Sequence, residues 1–215
     1  MNAKRMILIN VILLVILVGG GFAGYYYFNQ SINYLSTDNA QISGQQVSIA
    51  APATGKLVKW EALTGKTFSK DETIGNIEMT SEQGKVNLDI KAPAAGTVVQ
   101  SNAVKNTMVA AGSPLALSYD LDHLWVTANI EETDLNDVQV GQDVDIYVDA
   151  FPNVTLKGKV EEIGLATAGT FSLLPKNNTS GNYTKETQVI PVKISLDHYG
   201  ERLVPGMNVT VRIHK

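Results

Sequence analysis

Lys85 is the side chain whose spacing best suits covalent chemistry: it lies eight residues before Pro93, with Glu82 three residues upstream. Whether it reacts depends on the frame that holds it. The other reactive side chains form no constellation. His123, His198 and His214 are widely spaced, without a His-x-x-x-His or His-Glu pairing, so no zinc site is expected. There is no cysteine, which removes disulfides, thiolate metal sites, cysteine nucleophiles and a lipoprotein anchor. No Gly-x-Ser-x-Gly or Walker-type phosphate loop occurs. Glu131, Glu132, Asp134 and Asp137 lack the spacing of a Ca²⁺ loop and read as a solvated acidic helix over Glu131–Val138. Trp60 and Trp125 read as residues packed between strands. The sequence therefore predicts no catalytic residue, no cofactor-binding residue and no metal site.

The 215 residues leave room for one membrane helix and one or two small domains. Two of the 17 basic residues, Lys4 and Arg5, precede a long apolar stretch, leaving 15 against 21 acidic ones. A chain so charged gains nothing from phosphate backbones, and nucleic acid is set aside as a partner. Met6–Phe28 holds one weakly polar residue, Asn10, and as a helix would span roughly 34 Å, enough for a bilayer core. The base-free flank beyond it puts residues 1–5 in the cytoplasm and the bulk outside the cell membrane, extracellular or periplasmic. Tyr25, Tyr26, Tyr27 and Phe28 are placed as interface anchors. A cleaved signal peptide is the competing reading, disfavoured by the length of the run and the aromatic cluster that ends it. Gly19, Gly20, Gly21 and Gly24 read either as a packing face for a membrane partner or as a loosely wound helix end.

Sliding the chain against itself by 41 residues lays Val47–Ile77 on Leu88–Ser118 without a gap. Ile49, Ala51, Pro52, Gly55 and Val58 meet Ile90, Ala92, Pro93, Gly96 and Val99. Gly65 meets Asn106 and Asp71 meets Gly112, all residue types that tolerate a positive φ. The doubled Ala-Pro-x-x-Gly-x-[Val/Leu] pattern resembles the two halves of a biotinyl/lipoyl carrier domain. That resemblance would place Lys85 where a carrier lysine is modified. Its neighbours Gly84 and Val86 are not those that the ligases select, and the domain lies outside the membrane. Lys85 is expected to be an unmodified, solvated turn lysine.

Beyond Tyr119 the pattern changes to period-2 alternation over Leu124–Ile130, Val144–Val148, Leu156–Ile163, Gln188–Leu196 and Met207–Ile213. With a Pro205-Gly206 turn, these predict a small antiparallel β-barrel. A long loop over 166–185 carries Phe171-Ser172-Leu173-Leu174-Pro175. It reads either as a lid folded onto the barrel or as a docking element in which Phe171, Leu173 and Leu174 touch a partner.

The predicted fold is thus mainly β, with 29–44 a linker and first barrel-associated strand, 45–118 the lipoyl-like sandwich and 119–215 the barrel. That order resembles the HlyD/EmrA-type membrane fusion (periplasmic adaptor) proteins. The resemblance is carried by Ser36-Thr37-Asp38-Asn39-Ala40-Gln41-Ile42, both Ala-Pro turns, LWVTANIEETDL, VGQDVDIYVDAFP, GLATAGTFSLLP and LVPGMNVTV. It implies a non-catalytic adaptor in a drug or small-molecule efflux system, homo-oligomeric, beside a polytopic transporter. The Thr-Asp-Asn-Ala stretch and the FSLLP loop most resemble the EmrA branch, whose members work with major-facilitator transporters, so that class is expected, with an ABC transporter as the alternative. Val189 departs from the Arg that the family often has there. The larger departure is the long α-helical hairpin between the lipoyl halves, here replaced by Thr80–Lys85, six residues that reach at most about 20 Å. Outer-membrane docking is therefore not carried over, and the chain reads as one from a single-membrane cell or as a degenerate paralogue. Two other readings stand beside it: an acyl-carrier-like protein modified at Lys85, and a cell-surface scaffold without a transporter.

Overall fold

Alternating apolar and polar residues account for most of the elements in the computed structural model, which describes residues 3–81, 84–171, 187–197, 199–200 and 202–215. One helix, α1 (Ala3–Asn33), precedes the strands. Within it side chains are described at 11–22, 24–26 and 32–33, all of them exposed. Among the described residues no helix is long and apolar enough to cross a membrane.

The strands are β1 (Tyr34–Ala50), β2 (Gly55–Trp60), β3 (Thr67–Phe68), β4 (Thr73–Ser81), β5 (Gly84–Lys91) and β6 (Gly96–Ser101). They continue with β7 (Met108–Val109), β8 (Pro114–Glu131), β9 (Asp143–Val148), β10 (Thr155–Ile163), β11 (Val189–Leu196) and β12 (Asn208–His214). The chain divides into two compact units, one of residues 1–41, 126–199 and 208–215, the other of 42–125 and 200–207.

In the first unit β1, β12, β9, β10, β11 and β8 follow one another in that order, and β8 pairs back to β1, so six strands close a barrel with no free edge. Its filling is β-branched: Val126, Ile146, Val192, Ile194, Val211 and Ile213 are 0% exposed. They recur at every second position, as in the alternating burial of β9 and β12. The expected barrel is present, with two changes. The strand anticipated over Leu124–Ile130 is the end of the 18-residue β8. The acidic helix anticipated over Glu131–Val138 shrinks to a 3-10 turn at Leu135–Asp137, with no side-chain cap on Asp134. Glu131 still belongs to β8, and Thr133 and Asp134 are poor helix formers, so too little chain remains to nucleate an α-helix.

In the second unit, β5, β4, β2 and β7 form one sheet in that order; β3 and β6 extend the other beside the first part of β8. The 41-residue repeat is visible bond by bond. Ala51 N donates to Ser113 O at 3.0 Å, and its counterpart Ala92 N to Glu72 O at 2.9 Å. Leu57 N donates to Thr107 O and Val98 N to Lys66 O, both at 2.9 Å. Gly65 N donates to Val98 O and Asn106 N to Leu57 O, both at 2.7 Å. Each half therefore hydrogen-bonds the other, about a pseudo-two-fold. The turn residues take the positive φ expected of them: Gly65 88°, Asn106 72°, Asp71 64° and Gly112 79°. At Gly55 and Gly96 a Cβ would stand 2.6 and 2.8 Å from the carbonyl oxygens of Glu78 and Tyr119, so these strands approach too closely for a side chain. Ile49, Leu57, Ile74 and Ile77 meet Ile90, Val98 and Leu115 in the core between the sheets. Trp60 Nε1 donates to Ser101 Oγ at 2.9 Å, its own counterpart in the second half.

The halves are joined by the β4–β5 hairpin, paired from Thr73↔Lys91 out to Ser81↔Gly84. Among the described residues no α-helical hairpin is inserted there. Lys85 lies opposite Thr80 within β5 rather than in a turn, because strand pairing runs to Gly84.

Candidate functional site

The most individual polar feature of the barrel unit is an irregularity in β1. Its register against β12 runs from Tyr34↔His214 to Thr37↔Val211 and resumes at Ala40↔Val209, so three steps on β1 face two on β12. The extra residue makes a bulge at Asp38-Asn39, the kind of irregularity that re-aims side chains at a sheet. Three side chains fix it. Asn39 N donates to Thr37 Oγ1 at 3.1 Å, Thr37 Oγ1 to the backbone oxygen of Asn129 at 3.4 Å, and Asn129 Nδ2 to Asn39 Oδ1 at 3.0 Å. Asp38, Asn39, Ala40, Gln41, Asn129 and Asn208 line a shallow cavity of about 180 Å³. One carboxylate and four amide side chains can accept and donate hydrogen bonds. Such a lining is suited to hydrogen-bonded recognition of a polar group. The sequence marked the Thr-Asp-Asn-Ala stretch only through family resemblance. Its partner Asn129 lies 90 positions away and carries no local signal.

The outward face of β9, β10 and β12 is laced with ion pairs. Lys157 Nζ is 2.6 Å from Asp145 Oδ1, and Lys159 Nζ is 2.5 Å from Asp143 Oδ1. The Lys157 ammonium holds the Asp145 carboxyl below the usual carboxylate range, with help from His214, whose Nε2 is 3.0 Å from Asp145 Oδ2. Lys159 does the same to Asp143, and both lysines are raised in return. The Arg212 guanidinium lies between the rings of Tyr34 and Tyr147, 5.5 and 5.6 Å from their centres. Tyr34 also meets the His214 ring edge-on at 4.8 Å. Lys215 N donates to Asn33 O at 2.9 Å, and Lys215 Nζ reaches Asp137 at 2.7 Å. The end of α1 is thereby tied to the end of β12.

The residues singled out from sequence are not gathered at one place. Lys85 belongs to the sandwich unit; its Nζ is 2.8 Å from Glu78 Oε1 and its side chain is 71% exposed. Phe171 closes a 3-10 turn over Ala168–Phe171, but its side chain, with Leu173 and Leu174, lies outside the described residues. His123 Nδ1 is 2.8 Å from Asp120 Oδ2, while His198 is also outside the described residues. Among the described residues no three His, Asp or Glu side chains cluster as metal ligands would.

Two family models match the chain: a YhbJ barrel-sandwich hybrid domain over residues 45–120 and a YknX-like β-barrel domain over 124–213. The chain is 44% identical over 213 residues to YhbJ of Bacillus subtilis (strain 168), covering 99% of this chain and 94% of that protein, whose name describes an efflux system component. It is 40% identical over 110 residues to EmrK of Escherichia coli (strain K12), whose name describes multidrug resistance. That match covers 51% of this chain but 28% of EmrK, so the chain spans well under half of this longer relative. In fold it is similar to the membrane fusion protein Spr0693 from Streptococcus pneumoniae R6, with a TM-score of 0.57, 16% identity and coverage of 84% of this chain and 97% of that one.

Proposed function

We propose, from the premise that this chain belongs to the membrane fusion protein family of efflux-system adaptors, that it is a non-catalytic, membrane-anchored subunit serving a polytopic transporter. The observation that carries the reading is that barrel and sandwich occur together in one chain 44% identical, along nearly its whole length, to an efflux component. In this reading Met6–Phe28 spans the cell membrane with its N-terminus in the cytoplasm. The exposure of Val11 to Val18, between 50 and 72%, supports that part, because such apolar side chains need a lipid or protein environment. The barrel and sandwich then stand outside the membrane over the transporter's exit, as a homo-oligomer that orders the outward-open state or guides substrate away. Energy comes from the transporter, from a proton gradient for a major-facilitator partner or from ATP for an ABC partner. The Thr-Asp-Asn-Ala stretch and the Phe171–Pro175 loop, which resemble the EmrA branch, favour the major-facilitator class.

The test is genetic. Deleting the chain should sensitise cells to a set of amphipathic or toxic compounds. Deleting the cognate transporter should sensitise them to the same set, and the double deletion should add little. Unrelated sensitivities in the two single deletions would sink the adaptor reading and favour a surface scaffold. Tagged chain purified from mild detergent should bring the transporter with it.

A further inference from the structure

The hairpin that joins the sandwich halves carries an arrangement the adaptor reading does not use. β5 stands at the end of its sheet, beside β4. All its residues except Ile90 are exposed. Side chains alternate across it. Val86 and Leu88 share a face with buried Ile90, and across the ladder they lie opposite Met79 and Ile77. Ile77 and Ile90 are 0 and 1% exposed, whereas Leu88 is 36% and Val86 47% exposed. An apolar stripe thus leaves the core and continues along the hairpin into solvent. The other face of the strand bears Lys85, Asn87, Asp89 and Lys91, with Lys85 steered by Glu78 and Asp89 accepting from Asn76 Nδ2 at 2.5 Å.

We propose that β5 pairs antiparallel with β5 of a second copy of this chain, about a two-fold axis through Asn87. The charges select that occupant and that register. Directly opposed residues in an antiparallel pair share a face, so a symmetric axis that keeps apolar against apolar must pass through a residue. Centred on Asn87, Lys85 faces Asp89 of the second copy and Asp89 faces its Lys85, while Val86 and Leu88 face each other twice. Centred on Leu88, Lys85 would oppose Lys91 of the second copy, like against like. Centred on Val86, Lys85 would oppose Asn87 and neither ion pair would form. Of these three registers only the one on Asn87 makes two ion pairs and two apolar pairs. An axis through Ile90 would also oppose Asp89 to Lys91, but it would overlap just Asp89–Lys91 of the strand and leave Val86 and Leu88 uncovered. The Asn87 register also covers an end strand that would otherwise offer its edge to any extended chain. Such an isologous contact is small, and tethering both copies to one membrane would raise their effective concentration. The proposal deepens the homo-oligomer part of the reading above and rests on it.

The chain has no cysteine, so Asn87→Cys supplies a single thiol. Full-length Asn87→Cys in intact cells should give a disulfide-linked dimer on mild oxidation. Lys105→Cys, on an exposed turn of the same unit, should not. Introducing Lys85→Asp or Asp89→Lys into the Asn87→Cys chain should weaken association about ten-fold, because two attractive pairs become repulsive. Combining both reversals should restore it. Failure of the double reversal to restore cross-linking overturns the register and the proposal. Should an amine-reactive cross-linker capture oligomers of the natural chain while Asn87→Cys stays monomeric, the β5 interface is wrong and the oligomer reading survives. A chain monomeric by both measures overturns both.

Discussion

Asp145 shows how a single side chain converts strand register into pH dependence. Register sets Asp145 opposite Lys157 on β10 and Arg212 on β12, and His214 reaches its second oxygen. Its carboxyl is held down chiefly by the Lys157 hydrogen bond, so folding favours the ionised form. A depressed folded value means that the stabilisation is complete above the unfolded pKa, near 4, and fades as pH falls through the lower folded one. Thermal melts of the natural chain should therefore lose stability more steeply below about pH 4 than melts of Asp145→Asn; parallel slopes would show that the pair contributes nothing. Lys85 yields a second expectation at this scale. Its amine lies against Glu78 and its neighbours are Gly84 and Val86, so the intact mass should match the bare chain, allowing for the initiator Met. An added biotinyl or lipoyl mass would move the protein into the carrier class. The sequence located Lys85 by spacing alone. It could not foresee Asp145–Lys157 or Asn39–Asn129, because those pairs exist only once register is set.

At the scale of elements, the repeat was the most legible feature, and for a physical reason. Two halves that hydrogen-bond each other must keep matching turns, so Ala-Pro, Gly and the positive-φ residues recur at a fixed offset. The close approaches at Gly55 and Gly96 make that equivalence testable. Gly55→Val and Gly96→Val should each destabilise the sandwich by about 1–3 kcal/mol, seen as a lower Tm. Gly200→Ala, with open space around its Cβ position, should leave the Tm unchanged. Equal tolerance at all three positions would refute the close packing. Elements whose boundaries depend on tertiary pairing were less legible. β8 could not be read as one strand because Tyr119–His123 interrupts its apolar alternation, and only pairing with β6 before that point and with β1 and β11 around it makes it continuous. The acidic helix expected over Glu131–Val138 does not form because β8 holds Glu131 and the poor helix formers Thr133 and Asp134 follow it. The bulge at Asp38-Asn39 had no period to betray it.

For the whole molecule, order along the chain was legible from hydropathy and the repeat, and the family follows from near-full-length identity. Orientation about a membrane is the expectation to check at this scale. A lone cysteine at exposed Ser69 should react with an impermeant maleimide in intact cells, and one at Asn2 should not. The reverse pattern would put the soluble units in the cytoplasm. The reciprocal bonding of the sandwich halves also bears on how the chain is made. The amides of Ala51 and Leu57 take their acceptors from Ser113 and Thr107. Those acceptors are polymerised 62 and 50 residues later, roughly 3–12 s at ordinary translation rates. During that interval the first half carries open strand ends and an unfilled core. A nascent chain released before Thr107 is consequently not half of a working sandwich, but a substrate for proteolytic quality control.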